Sequence, residues 1–168
     1  MTRLNVNDQV VHSAHGIGRV VALVTRGFGA EARRYYEISI ERNTIWVPMD
    51  SDLPSELRLL TANSDLARYR AILQGRPASL TADHRQRRSD VAALLKTSSF
   101  QTLCELVRDL TARSWARPLT QMDAAALRRA RERLCREWAA VDKVELPAAT
   151  QEIDGLLGLA QQGHANAA

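Results

Sequence analysis

The spacing of apolar residues changes once along this chain, at Thr61, and that change limits the possible folds more than any other feature. Before Thr61, apolar residues alternate with polar ones or stand in short runs bounded by turn residues, as in β-strands. After Thr61 they recur three and four positions apart, as in amphipathic helices. Strands and helices that are segregated along the chain, instead of alternating, predict an α+β protein with its two halves built separately.

In the first half, Gln9 to His12 reads as a short strand, His15-Gly16 as a tight turn, and Ile17 to Thr25 as a second strand. Gly16 and Gly18 allow the positive φ or close backbone approach that a sharp reversal needs. Val20 to Val24 is a continuous apolar run. Tyr36, Ile38 and Ile40 can share one face of a third strand, with Tyr35, Glu37 and Ser39 on the other. Ile45-Trp46-Val47 forms a fourth strand ending at Pro48, and Leu57 to Leu60 a short fifth. Gly27-Phe-Gly29 and Glu41-Arg-Asn43 read as turns. Five short strands without an intervening helix predict a small β-barrel of SH3 or Tudor type over residues 1–60.

An all-α domain of about five helices is predicted for residues 63–162. Asn63 or Ser64 can cap a helix carrying Leu66, Tyr69 and Leu73, which Gly75-Arg-Pro77 ends. A second helix begins near Thr81 or Asp83 and carries Val91, Leu94 and Leu95. Ser99 can cap a third, with Phe100, Leu103, Cys104, Val107 and Leu110 in register. Thr120, three residues before Asp123, can cap a fourth with Leu127, Ala130, Leu134 and Trp138 on its stripe. Pro147 precedes a last helix carrying Ile153, Leu156, Leu157 and Ala160. Residues 163–168 are expected to be a frayed tail.

The net charge of +4 is unevenly distributed. Residues 1–62 hold seven basic and seven acidic side chains, whereas residues 63–147 hold sixteen and ten. The helical half is therefore the candidate partner for an acidic polymer. Its basic residues are nearly all arginine, which suits bidentate phosphate contacts and narrow minor grooves; a solvated Arg-rich helix surface is the alternative. Cys104 and Cys135 lie in apolar helical patterns and read as reduced core thiols, not a disulfide framework. No run reaches membrane-span length and no signal peptide is evident, so a cytoplasmic location is expected.

Little points to catalysis. His12 and His15 are three apart in a strand-turn region, a spacing that does not converge two imidazoles, and no metal site is expected. His15 is expected to fix the turn through a ring hydrogen bond. No phosphate-binding glycine loop or carboxylate pair stands out, so neither an enzyme nor a cofactor is expected.

The stretch Asn7-Asp-Gln-Val-Val-His-Ser-Ala-His-Gly-Ile-Gly18 resembles the opening of the CarD-like family of bacterial transcription regulators. That family shares its first domain with the polymerase-interacting module of transcription-repair coupling factors. Asp8, Val10, Val11, His15, Gly16 and Gly18 match the family's pattern; Asn7 replaces a glycine, and His12-Ser13 replaces Tyr-Pro. Tyr35-Tyr36 and Thr44-Ile-Trp-Val-Pro48 match further along. Glu105-Leu-Val-Arg-Asp-Leu110 is close to the family's Glu-Val-Val-Arg-Asp-Leu, and an Ala-Arg-rich helix falls at Leu127 to Leu134. The likeness extends from residue 4 to about 160.

The resemblance implies a transcription regulator whose barrel binds the RNA polymerase β subunit. Its helical half would contact promoter DNA upstream of the −10 element and modulate open-complex stability. The polymerase-contact positions fall on Arg26 and Trp46. Arg26 matches; Trp46 departs from the family's arginine. Ile45 and Val47 form the natural inward pair, which favours an exposed Trp46 over one in the barrel core. The DNA-contact positions fall at the start of the second helix, on His84, Arg85, Arg87 and Arg88. There the family's minor-groove tryptophan is replaced by His84. The implied contacts are to minor groove and phosphates, not sequence-specific. A solvated helix start is the bland reading of the same residues. A divergent adaptor that binds polymerase or another protein without a DNA wedge is the alternative function. A monomer is expected, and the resemblance leaves room for a protein co-regulator.

Overall fold

The computed structural model describes residues 3–49, 52–97 and 99–167. The chain divides into two compact units, Met1–Leu60 and Thr61–Ala168.

The first unit is an antiparallel sheet of β1 (Gln9–His12), β2 (Gly16–Arg26), β3 (Arg33–Ile40), β4 (Asn43–Pro48) and β5 (Leu57–Leu59). Their spatial order is β4-β3-β2-β1-β5. It is a Tudor-like fold in which the last strand returns to pair with the first, Val10 opposite Leu59. Residues directly opposite each other share a face. Ile38 lies between Val20 and Ile45, and Tyr36 between Leu23 and Val47. Apart from Leu23, which is exposed at the end of its row, these rows carry the inward side chains; Leu4, Val10, Ile40 and Leu57 complete the core. The alternation expected for β3 is observed: Tyr36, Ile38 and Ile40 are buried, Tyr35, Glu37 and Ser39 half-buried.

The continuous apolar run in β2 contains a β-bulge. The register slips between Val20 and Ala22, leaving Val21 exposed and bringing Leu23 opposite Tyr36. One extra residue thus reverses the facing of everything after it. The two turn glycines have separate roles. Gly16 has φ +93°, whereas a Cβ on Gly18 would strike the Ile40 side chain and lie 2.7 Å from the Ser39 carbonyl oxygen. Asn7 also has a positive φ of 79°, which asparagine tolerates better than most residues. His12, not His15, makes the turn's ring hydrogen bond: its Nδ1 accepts from the Ala14 amide at 3.1 Å, with the His15 ring tilted against it at a centroid distance of 4.6 Å.

The second unit contains α1 (Leu66–Gln74), α2 (His84–Lys96), α3 (Phe100–Ala116), α4 (Gln121–Asp142) and α5 (Leu146–Ala167). A 3-10 turn at Asn63–Asp65 leads into α1, in place of the expected side-chain cap from Asn63 or Ser64. Asp83, Ser99 and Thr120 do cap α2, α3 and α4 through their side chains. Lys143, left-handed at φ 56°, ends α4. The core joins Leu66, Tyr69 and Leu73 to the stripes of α3, α4 and α5. Tyr69 packs edge-on to Phe100 at 4.6 Å, and Phe100 lies 6.2 Å from Trp138. Cys104 and Cys135 are both buried in this core. Two boundaries differ from expectation. Pro147 lies inside the first turn of α5, where its missing N–H costs nothing. The same helix continues to Ala167, through residues expected to fray.

Candidate protein and nucleic-acid interfaces

The outward face of the first unit follows from the register. Glu37 lies between Ala22 and Trp46, Tyr35 between Val24 and Pro48, and Arg33 opposite Arg26. Trp46 is 41% exposed, while Val47 is buried and Ile45 half-buried beneath the sheet. Arg26 reaches across this face and places its guanidinium carbon 4.2 Å from the centroid of the Trp46 ring. The indole Nε1 donates to Glu37 Oε2 at 3.1 Å. The stack contributes about 0.5–1 kcal/mol at an exposed site. Together with the Glu37 bond it holds the indole in one orientation.

Two further features adjoin this stack. Arg26 and Arg33 are direct cross-strand partners and both exposed; like charges so placed oppose folding. Phe28, between Gly27 and Gly29 at the turn, is 95% exposed. The sequence marks this segment only as a turn, although an aromatic between two glycines has nothing local to pack against.

The second candidate surface is the start of α2. Asp83 accepts from the Arg85 and Gln86 amides, both at 2.9 Å. The Gln86 bond foremost, opposed by desolvation and then reinforced by the Arg85 bond and by nearby His84 and Arg87, holds the Asp83 carboxyl below its ordinary value. His84, Arg85 and Arg88 are exposed. The first turn carries no acidic residue, so cationic side chains crowd the positive end of the helix dipole, where they are disfavoured.

Arg87 corrects the sequence expectation. It is only 2% exposed, and its Nε donates to Asp123 Oδ2 on α4 at 2.9 Å. Its Nη1 donates to the Thr81 and Ala82 carbonyls at 3.0 and 3.1 Å. With its donors engaged inside the unit, Arg87 is not presented to a phosphate. Its partner Asp123 is itself 3% exposed. Leu94, expected on the buried stripe of α2, is 39% exposed; the helix buries only Arg87 and Val91 fully.

Among the described residues no cluster of three or more His, Cys, Asp or Glu side chains could hold a metal. No helix among them is long and apolar enough to cross a membrane. Burial, and then the neighbouring His15, hold the His12 imidazole below its ordinary value, with Glu56 opposing.

Two family models match the chain. Residues 4–52 match the CarD-like/TRCF RID domain, and residues 69–154 match the CarD C-terminal domain. The chain belongs to the CarD-like family. A Bacillus subtilis (strain 168) relative, named "Putative transcription factor YdeB", is 30% identical over 107 residues. That match spans 62% of this chain and 70% of the relative. Family membership carries transcription regulation and RNA polymerase interaction as the class of function. The family is of a polymerase-binding, generally non-enzymatic type.

Proposed function

We propose that this CarD-like protein docks on the polymerase β subunit through the outward face of its sheet and contacts promoter DNA with the start of α2. The observation that carries the reading is the exposed Arg26–Trp46 stack. An indole already held by a guanidinium and by Glu37 loses little side-chain freedom on binding, which favours its use as an interface anchor. Phe28 extends the apolar contact, and the like-charged pair Arg26–Arg33 favours an acidic partner surface.

His84, Arg85 and Arg88 are the proposed DNA-contact residues, with Arg87 withdrawn. Exposed arginines at the positive end of a helix suit phosphates upstream of the −10 element. His84 offers a smaller, wetter ring than the family's tryptophan and offsets less of the cost of unstacking. Polymerase tethering supplies the address through effective concentration. The outcome is a bias on open-complex stability in the cytoplasm, with the protein acting as a monomer.

The second reading is an adaptor that binds polymerase, or a protein co-regulator, without a DNA wedge; the absent tryptophan at His84 favours it. Co-purification with core RNA polymerase tests the docking half. Retention of the native chain and of residues 1–60, with loss for Arg26→Glu, supports the proposal. Capture of the β subunit by residues 63–168 but not by 1–60 overturns it.

A further inference from the structure

The geometry points to Arg87 and Asp123 as positioning residues that aim the DNA-contact turn of α2, an inference that rests on the DNA-contact reading above. Apolar burial does little to hold this helix, since Val91 is its one fully buried apolar side chain. Polar clasps act at both ends. At the start, Arg87 ties Asp123 on α4 to the Thr81 and Ala82 carbonyls of the segment leading into α2. That segment is also held upstream, where the Ala78 amide donates to Asp109 Oδ1 at 3.0 Å. At the far end, Arg133 of α4 donates to the Leu95 carbonyl at 2.8 Å. The approach, cap and first turn are thereby ordered before any ligand arrives, and His84, Arg85 and Arg88 project from a fixed frame. Arg87 acts through that frame and not on DNA.

Asp123→Asn separates this role from simple electrostatics by sign. Removing a carboxylate raises the net charge by one, so Coulombic attraction alone predicts tighter DNA binding. Loosening the clasp predicts weaker binding, by about tenfold, the size of effect expected when one charge-assisted hydrogen bond to DNA is no longer made. The probe is a fluorescein-labelled promoter duplex with a pre-melted −10 region, read by anisotropy over a salt series using the full chain. Thermal melts confirm folding, and amide exchange over residues 81–86 should quicken. Arg87→Lys is the second variant. It keeps the charge, but a single ammonium does not reproduce the guanidinium's fork, so affinity should again fall.

If the native chain shows no salt-dependent binding, the DNA-contact reading fails and this inference with it. If the native chain binds and either folded variant binds as tightly or more tightly, the positioning role alone is overturned.

Discussion

Removing the Arg87 side chain should be among the most destabilising single changes in the helical unit. Asp123 is 3% exposed and its carboxylate faces the Arg87 guanidinium at 2.9 Å. In Arg87→Ala that carboxylate stays buried without its counter-charge and the guanidinium leaves a cavity; breaking such a pair from one side costs about 3–5 kcal/mol. Removing both charges should behave differently. In Arg87→Met/Asp123→Leu no buried charge remains, and the abandoned carbonyls belong to Thr81 and Ala82 on the segment before α2, where water can replace the missing donors. The double variant should lie within about 1 kcal/mol of native, because apolar replacement of a buried pair is often neutral or better. Urea unfolding followed by far-ultraviolet circular dichroism measures both. A single variant costing under about 1 kcal/mol would show that Asp123 finds water or another donor, and the burial argument would be refuted.

Trp46→Ala should weaken polymerase binding by about 2 kcal/mol or more, as truncation of a central aromatic anchor does, with the sheet still folded by circular dichroism; loss of fold would make Trp46 a core residue instead. Replacing Arg85 and Arg88 with alanine should flatten the salt dependence of DNA binding, by up to about 0.9 in log–log slope for each phosphate no longer neutralised; an unchanged slope would leave the adaptor reading. Gly18→Ala should destabilise the first unit by about 1–3 kcal/mol through overpacking, since a Cβ meets Ile40 and the Ser39 carbonyl; a melt matching native refutes the close approach. The depressed His12 imidazole makes the unfolded state the better proton acceptor, so stability should be full above the unfolded value and fall as pH drops through it toward the folded one. His12→Gln should flatten that profile, and an unchanged profile between native and variant would exclude His12 as its source.

Both classes of element were legible because their signals are local. Alternation at Tyr36, Ile38 and Ile40 gives β3 its buried face, and Asp83, Ser99 and Thr120 cap helices through amides two or three residues away. Features that depend on distant partners were not legible. An arginine in a basic helix start reads as solvated, and what buries Arg87 is a carboxylate 36 residues later. The bulge at Val21 hides in an apolar run, where no alternation marks the slipped residue. The last turns of α5 lack an apolar stripe and include Gly163, yet remain helical to Ala167. At the candidate interfaces, exposure of Trp46 follows from its neighbours Ile45 and Val47, whereas the Arg26 stack on it bridges strands whose register the sequence does not state.

The most direct measurement is a footprint of open promoter complexes formed by RNA polymerase alone, with the native chain, and with Trp46→Ala. The account predicts added protection just upstream of the −10 element with the native chain, and its disappearance with Trp46→Ala at the same concentration. Footprints that are identical with and without the native chain, in complexes shown to contain it, would contradict the account.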